Sequence, residues 1–282
     1  MPMIIEAIKA FFIGIVQGIT EWLPVSSTGH MILFNEFVKM DVSPEFFELF
    51  EVVIQFGSIL AVLVLFFDKL NPFSRKKDEA MKKKTWTLWI RVIIAVLPAA
   101  IIGLLLDDWF QAKFYNYVSV AVALIFYGIL FIVIERRNKN KTMIYNDVYD
   151  IDGATALKIG IFQVLSIIPG TSRSGSTILG ASVIGVSRPA AAEFSFFLAS
   201  PVMLGASAYK VLKYIVKVGV ALTSTEIMAL IVGTVTAFAV SLIVIRFLMN
   251  FVRKHSFESF GWYRIVLGII VLGYNFVKIV VS

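Results

Sequence analysis

The sequence predicts an all-α polytopic membrane protein, built as an inverted repeat, and three observations support this prediction. Hydrophobic residues make up 59% of the 282 residues and charged residues only 16%, with a mean hydropathy of +0.85. Such a composition is typical of a chain that lies mostly in the bilayer. Several apolar segments are long enough to cross a membrane, and two further segments repeat one design. Cysteine is absent, which excludes disulfides and thiolate metal sites.

Six apolar segments are predicted to be full transmembrane helices, because each approaches the ~20 residues needed to span a bilayer. They are residues 46–67, 86–106, 117–134, 190–209, 226–246 and 261–281. The first apolar run of the chain is interrupted by Glu6 and Lys9 and is followed by no small-residue cleavage site. We therefore do not expect it to be a cleaved signal peptide.

Two other apolar segments are interrupted by a proline and a polar turn. Residues 4–21 lead into a turn rich in Ser, Thr and Gly, and a short apolar segment, 31–38, follows it. Residues 154–168 lead in the same way into a second turn and then into residues 176–187. Irregular backbone at membrane depth is tolerated only where protein buries it or water reaches it. We therefore expect two re-entrant helix–turn–helix hairpins that enter and leave on the same face.

Lys and Arg concentrate in three loops that this topology places on one side of the membrane. The loops are residues 69–84, 135–141 and 246–254. Basic loops face the cytoplasm, so both termini are predicted outside. The net charge of +7 is accordingly attributed to topology rather than to a nucleic-acid partner.

An internal repeat divides the chain into halves of about 1–140 and 150–282, which we expect to form a single membrane domain. Each half holds one hairpin and three spans, and because three is odd the second half is inverted relative to the first. Such repeats place a binding site at their interface near the membrane midplane. At an offset of 146, Gly14-Ile15-x-Gln17 matches Gly160-Ile161-x-Gln163, and Ser26-x-x-Gly29 matches Ser172-x-x-Gly175.

The first hairpin carries two ionisable residues, Glu21 and His30, in apolar surroundings. Such groups cost roughly 2.5–3.5 kcal/mol each to insert, so they indicate a functional site. Gln17 lies four residues before Glu21, hence on the same helical face. Glu21 is a candidate acid or base, a cation ligand, or a partner that orients His30; the alternative is an interfacial carboxylate. His30 can act as acid, base or nucleophile.

Both turns have the composition of a helix N-terminus that binds an anion. Ser26, Ser27 and Thr28 precede a new helix, where hydroxyls cap free N–H groups and the helix dipole attracts negative charge. Capping alone is the simpler explanation for any one of them. The second turn adds Arg173, whose guanidinium pairs with phosphate oxygens, unless Glu21 or Glu193 neutralises it. Its hydroxyl residues are candidate substrate ligands, above all Ser172, Ser174 and Thr177.

The remaining charged residues are expected to be peripheral. Arg91, Arg188 and Arg264 lie near the ends of predicted spans and are assigned to the interface. His255 lies in a basic loop and is expected to be solvated. Together, the polar residues of the two turns suggest a phosphate ester or anhydride, and the apolar surroundings suit a lipid tail.

At these residues the chain resembles the undecaprenyl-pyrophosphate phosphatase family, bacterial membrane enzymes associated with bacitracin resistance. The resemblance rests on motifs in both halves: Gln17-x-x-x-Glu21, Pro24-Val25-Ser26-Ser27-Thr28-Gly29-His30, Pro169-Gly170-x-Ser172-Arg173-Ser174-x-x-Thr177, Glu48-x-x-Glu51 and Glu193-Phe194-Ser195-Phe196. It implies hydrolysis of undecaprenyl diphosphate to the monophosphate carrier used in peptidoglycan synthesis. It also implies a site open to the outer face of the bacterial cell membrane.

The resemblance implies that Glu21, Ser27, His30 and Arg173 are essential. It also implies a divalent cation, Mg²⁺ or Ca²⁺. The sequence shows no acidic cluster that resembles a protein-built metal cage, so we expect such an ion to bind through the substrate phosphates and Glu21. Many family members have Glu where this chain has Gln17, and Gln17 can act only by hydrogen bonding.

The mechanism we expect has Ser27 attack the terminal phosphorus while His30, oriented by Glu21, takes the hydroxyl proton. His30 as the nucleophile is the alternative. A transporter that moves a polyprenyl phosphate through the same inverted-repeat site is the competing class of function.

Overall fold

The computed structural model describes the backbone of residues 2–219 and 221–281, and the side chains of these except residues 2, 35, 36, 107, 108, 111 and 281. This part of the chain is helical apart from short connections. A 3₁₀ turn, Leu165–Ile167, extends α7. The described α-helices are α1 Pro2–Thr20, α2 Ser27–Phe37, α3 Pro44–Leu65, α4 Phe67–Leu70, α5 Glu79–Phe114, α6 Tyr117–Asn138, α7 Gly153–Val164, α8 Arg173–Ile184, α9 Arg188–Lys217, α10 Ser224–Lys254 and α11 Glu258–Val281.

Seven of the described helices are long and apolar enough to cross a membrane: α1, α3, α5, α6, α9, α10 and α11. Five of the six predicted spans lie within one of these helices, and the other, 46–67, extends two residues beyond the end of α3 at Leu65. The seventh helix, α1, is the first arm of a predicted hairpin. Large apolar side chains also cover the outer surface; Leu104 is 76% exposed and Val216 is 87% exposed. The chain is therefore an all-helical, multi-pass membrane protein.

Helix α5 is much longer than the predicted segment 86–106. It begins at Glu79, includes Lys82, Lys83 and Lys84 near its start, and continues through Pro98 to Phe114. Hydropathy marks only the apolar part of a helix, so it misses charged turns that extend into water. A proline inside a transmembrane helix is tolerated where neighbouring groups satisfy the freed backbone.

Small residues let pairs of helices approach closely, as is common inside membranes. Where α1 crosses α10, a Cβ added to Gly14 would lie 2.6 Å from the carbonyl oxygen of Gly233. In the α6–α11 pair, Gly128 and Gly261 face each other, and a Cβ on either would lie 2.7 Å from the other's carbonyl oxygen. Helix α7 approaches α5 in the same way, where Gly160 lies against Ala95.

The turns of the two helix–turn–helix units, α1–α2 and α7–α8, lie side by side inside the molecule. Ser174 Oγ lies 3.2 Å from the carbonyl oxygens of both Glu21 and Leu23, so α8 begins against the end of the first turn. The buried core around Trp22, Phe194 and Phe196 surrounds this contact. The candidate residues of both halves are thus brought to one place.

Candidate active site

The two turns end in helix caps of the same unusual geometry. Ser26 caps α2 with φ 73°, and Ser172 caps α8 with φ 72°. Each hydroxyl accepts the backbone N–H three residues on, from Gly29 at 3.3 Å and from Gly175 at 3.1 Å. Positive φ is uncommon outside glycine and costs of order 1–3 kcal/mol, and such residues cluster at functional sites. Both capping predictions are confirmed, and each turn leads directly into the N-terminus of a helix. We call the place where the two turns contact each other, through Ser174 and the carbonyl oxygens of Glu21 and Leu23, the junction.

A buried chain of hydrogen bonds runs from α1 to α8. Gln17 Nε2 donates to Glu21 Oε2 at 3.0 Å, and Arg173 Nη2 donates to Glu21 Oε1 at 3.0 Å. The side chains of Arg173 and Glu21 are only 11% and 7% exposed. Arg173 Nη1 also donates to the carbonyl oxygen of Ser195 at 2.8 Å. The guanidinium is therefore held in place by the Glu21 carboxylate and by α9. Of the two carboxylates that the sequence offered to neutralise Arg173, Glu21 and Glu193, it is Glu21 that does so.

His30 lies on α2 with both ring nitrogens engaged. Nδ1 is 2.7 Å from the carbonyl oxygen of Ser26, and Nε2 is 2.7 Å from the hydroxyl of Tyr263. The expectation that Glu21 orients His30 is therefore wrong, because Glu21 pairs with Gln17 and Arg173 instead. The backbone of the first turn orients the His30 ring instead, since the Ser26 carbonyl lies one helical turn before the imidazole and contacts Nδ1.

Ser27 and Thr28 are the first two residues of α2 and are half-buried. Ser27 precedes His30 by three residues, a spacing that places both on one helical face. A hydroxyl and an imidazole one turn apart at a helix N-terminus are suited to nucleophilic attack on an anionic centre.

The hydroxyls of the second turn stabilise the turn itself. Ser172 Oγ caps α8, and Ser174 Oγ contacts the first turn. Thr177 Oγ1 lies 2.7 Å from Ser195 Oγ and 2.9 Å from the carbonyl oxygen of Arg173. Ser174 and Thr177 are buried, so in this structure their hydroxyls shape the site from within.

Arg264 belongs to this junction, and its assignment to the membrane interface is wrong. The side chain is fully buried. Its Nη1 donates to the Pro24 carbonyl oxygen at 3.1 Å, and its Nη2 donates to the carbonyl oxygens of Gly170 and Thr171, both at 2.9 Å. One guanidinium of α11 thus ties both turns together. An ionisable residue inside an apolar segment indicates function, and that signal was available in the sequence.

The other charged residues lie away from the junction. Glu193 pairs with Lys69 at 2.8 Å rather than with Arg173. His255 is exposed, as predicted, and stacks on Phe251 with ring centroids 4.6 Å apart. Outside the membrane, Asp152 caps α7 by accepting the Thr155 N–H at 2.7 Å, and this hydrogen bond lowers the pKa of the carboxyl.

The residues at the junction do not form a protein-built metal site. Within the described chain, no three His, Cys, Asp or Glu side chains come close enough to hold an ion together. Glu21, the candidate ligand, already has Oε1 on Arg173 and Oε2 on Gln17. We therefore derive no step of the chemistry through a metal.

The junction thus has a nearly buried Glu–Arg pair, a Ser–His pair on one helical face and two turns that each begin a helix, inside a multi-pass membrane protein. Positive helix N-termini and a guanidinium are groups suited to an anionic head group. The chain belongs to the family of the bacitracin resistance protein BacA, whose family model matches residues 10–270. This confirms the resemblance seen in the sequence. All the candidate residues of both turns lie within the matched part.

Relatives in other bacteria are similar over nearly the whole chain. The undecaprenyl-diphosphatase of Enterococcus faecalis (strain ATCC 700802 / V583) is 56% identical over 266 residues, covering 94% of this chain and 96% of that protein. Undecaprenyl-diphosphatase 1 of Clostridioides difficile (strain 630) is 57% identical over 273 residues, covering 97% of each. The undecaprenyl-diphosphatase of Acetivibrio thermocellus is 54% identical over 270 residues, covering 96% of this chain and 98% of that protein.

Proposed function

We propose that this protein hydrolyses undecaprenyl diphosphate to undecaprenyl phosphate and inorganic phosphate. The observation that carries the proposal is the identity of 56% to a protein named undecaprenyl-diphosphatase over 94% of the chain. The contact between the turn that leads to Ser27 and His30 and the turn that leads to Arg173, inside an apolar fold, supports it independently. The product is the lipid carrier of peptidoglycan synthesis, and its regeneration confers resistance to bacitracin.

The proposed first step is attack by Ser27 Oγ on the terminal phosphorus. A Ser–phosphorus bond forms, the bond to the bridging oxygen breaks, and undecaprenyl phosphate leaves with that oxygen. His30 Nε2 takes the hydroxyl proton. Water then attacks the phosphorus of the seryl phosphate and the bond between phosphorus and Ser27 Oγ breaks. Ser27 Oγ takes its proton back from His30, and inorganic phosphate leaves with both protons of the water. The alternative has His30 Nε2 attack the phosphorus directly.

Charge stabilisation is the main requirement of phosphoryl transfer. Arg173 and the N-termini of α2 and α8 are the groups that stabilise this charge, because the guanidinium is positive and a helix N-terminus carries a partial positive charge. Ser26, Thr28 and Ser172 are the proposed polar neighbours of the diphosphate, while Ser174 and Thr177 support the turn. Gln17 acts through Glu21, which holds Arg173 before the diphosphate binds. If a cation, Mg²⁺ or Ca²⁺, takes part, Glu21 would be its protein ligand, would have to release its hydrogen bond with Gln17 or Arg173 to bind it, and the ion would offset phosphate charge.

The two helix–turn–helix units are proposed to be re-entrant, in two halves of inverted topology that form one membrane domain. Matched glycines support this arrangement: Gly14 lies against α10 of the second half and Gly160 against α5 of the first. The matched caps at Ser26 and Ser172 support it as well. The basic loops then face the cytoplasm and the site opens outward. We propose that both termini lie on the outer side of the membrane. The terminal residues themselves, Met1 and Ser282, are not among the residues that the structure describes.

The test is to incubate the purified protein in detergent with undecaprenyl diphosphate carrying ³²P in its terminal phosphate. The proposal predicts equal amounts of free phosphate and undecaprenyl phosphate. In a quenched single turnover it predicts an acid-stable phosphoprotein that Ser27→Ala lacks; an acid-labile adduct would instead indicate attack by His30. If the lipid binds but no phosphate is released with Mg²⁺ or Ca²⁺, the hydrolase proposal is wrong and lipid transport takes its place.

A further inference from the structure

Tyr263 contacts His30 across a separation of 233 residues in the sequence. Its hydroxyl is 2.7 Å from His30 Nε2, and the two rings are nearly parallel, with 8° between their planes and 5.6 Å between their centroids. Tyr263 has no place in the mechanism described above. The contact therefore requires a separate explanation.

The other contact of the imidazole decides which atom donates. A backbone carbonyl oxygen can only accept, so at 2.7 Å from the Ser26 carbonyl, His30 Nδ1 must carry the proton. In the neutral ring, Nε2 then has the lone pair, and the Tyr263 hydroxyl donates to it. The two contacts together fix both the tautomer and the direction in which the basic nitrogen points.

The position of Tyr263 is itself fixed by its neighbour. Arg264 is fully buried and donates to the Pro24 carbonyl of the first turn and to two carbonyls of the second. Helix α11 is thereby tied to the turn that leads into α2, the helix that carries His30. Tyr263 is about half-exposed, and its contact with His30 Nε2 lies in an exposed place.

We propose that Tyr263 is a positioning residue of the reaction: its hydroxyl, opposite the Ser26 carbonyl, holds His30 with the Nε2 lone pair ready to take a proton. The proposal rests on the proposed function in that Nε2 serves as the base. Because Nε2 has one lone pair, the Ser27 hydroxyl replaces the Tyr263 hydroxyl on this nitrogen when the proton is transferred.

The test compares Tyr263→Phe with Tyr209→Phe, a matched loss of one hydroxyl from a tyrosine that is 54% exposed on α9. We expect Tyr263→Phe to lower kcat by about tenfold with little change in KM, since a general base contributes about 10²–10⁴ and only its orientation is lost. Tyr209→Phe should stay within a factor of about two of wild type. Unchanged kcat in Tyr263→Phe, or a rise in KM together with a lower melting temperature, would overturn the proposal.

A second measurement does not depend on activity. The chain has two histidines, so ¹⁵N-histidine spectra of the protein without substrate can be assigned with His255→Gln. We expect His30 in the Nδ1–H tautomer, with an Nε2 resonance that moves in Tyr263→Phe and stays in place in Tyr209→Phe. An unmoved resonance contradicts the proposal even if the wild type releases phosphate. A moved resonance with no phosphate release by the wild type shows that the contact is real and the proposed reaction is wrong.

Discussion

At the scale of single residues, the pair of Glu21 and Arg173 dominates the electrostatics of the junction. Both side chains are nearly buried, and the other described partners of their charged groups are neutral: Gln17 for Glu21, and Ser195 and the Trp22 ring for Arg173. Breaking such a pair leaves one charge uncompensated in a poorly solvated place. The pair therefore links stability to the proposed function, because the guanidinium that we propose binds phosphate is held by the carboxylate.

Glu21→Gln removes the charge that compensates Arg173. We expect a loss of about 3–5 kcal/mol in the free energy of unfolding, as for other buried pairs that lose one partner. Titration with SDS in mixed micelles measures it. Glu48→Gln is the matched control, because Glu48 is 60% exposed in its pair with Lys210, and such pairs contribute about 0–1 kcal/mol. Equal losses in the two variants would contradict this account.

The contacts between residues could be predicted from the sequence only where they are local. The four-residue spacing of Gln17 and Glu21 placed them on one face, and their hydrogen bond confirms it. The turn hydroxyls were predicted as caps for the same reason. Tyr263 contacts His30 although the two are 233 residues apart in the sequence, and helical spacing predicts contacts only between residues three or four apart. Arg264 was misjudged because distance from a predicted helix end does not measure burial.

At the scale of secondary-structure elements, the two caps with positive φ are the distinctive feature. Ser26 and Ser172 are the non-glycine residues of the described chain that adopt such φ values. Each cap turns the chain sharply from an irregular segment into a helix whose N-terminus points into the junction. A serine there gives a capping oxygen but bears backbone strain that glycine would not.

Replacements at Ser172 separate the contribution of the capping hydrogen bond from the cost of the positive φ angle. Ser172→Ala loses the hydrogen bond to Gly175 and keeps φ at 72°, so we expect a loss of about 1 kcal/mol or more. Ser172→Gly loses the same bond but relieves the strain, so it should be the more stable of the two by about 1 kcal/mol.

Ser187 is the matched control for this pair of replacements, because it caps α9 with φ −62° and makes no capping hydrogen bond. There glycine should be no better than alanine. The same SDS titration measures all four variants. If alanine is at least as stable as glycine at position 172, the cap is not strained and this explanation is wrong.

At the scale of the whole molecule, composition predicted the class of fold and hydropathy predicted the positions of its spans, since both depend on the bilayer as solvent. Neither could give the helix lengths, as α5 illustrates. Nor could they give the pairing of helices, which depends on close contacts such as that of Gly128 with Gly261. The proposed inverted topology depends on which loops lie on which side.

The absence of cysteine makes that topology directly testable in intact cells. Lys39→Cys lies in the link between α2 and α3, and Lys141→Cys lies in the loop after α6; both positions are exposed. A membrane-impermeant maleimide should label Lys39→Cys in intact cells and Lys141→Cys only after permeabilisation. Labelling of both in intact cells, or the reverse pattern, would contradict the orientation we propose.

The central claim is that the two turns, 146 residues apart in the repeat, form one catalytic site. The most direct measurement is the rate of phosphate release from undecaprenyl diphosphate by Ser27→Ala, from the first turn, and Arg173→Ala, from the second. We expect the rate of each variant to fall by a factor of at least about 10², while that of His255→Ala, at an exposed position, stays near wild type. If either Ser27→Ala or Arg173→Ala releases phosphate at the wild-type rate, the catalytic site is not shared between the two halves.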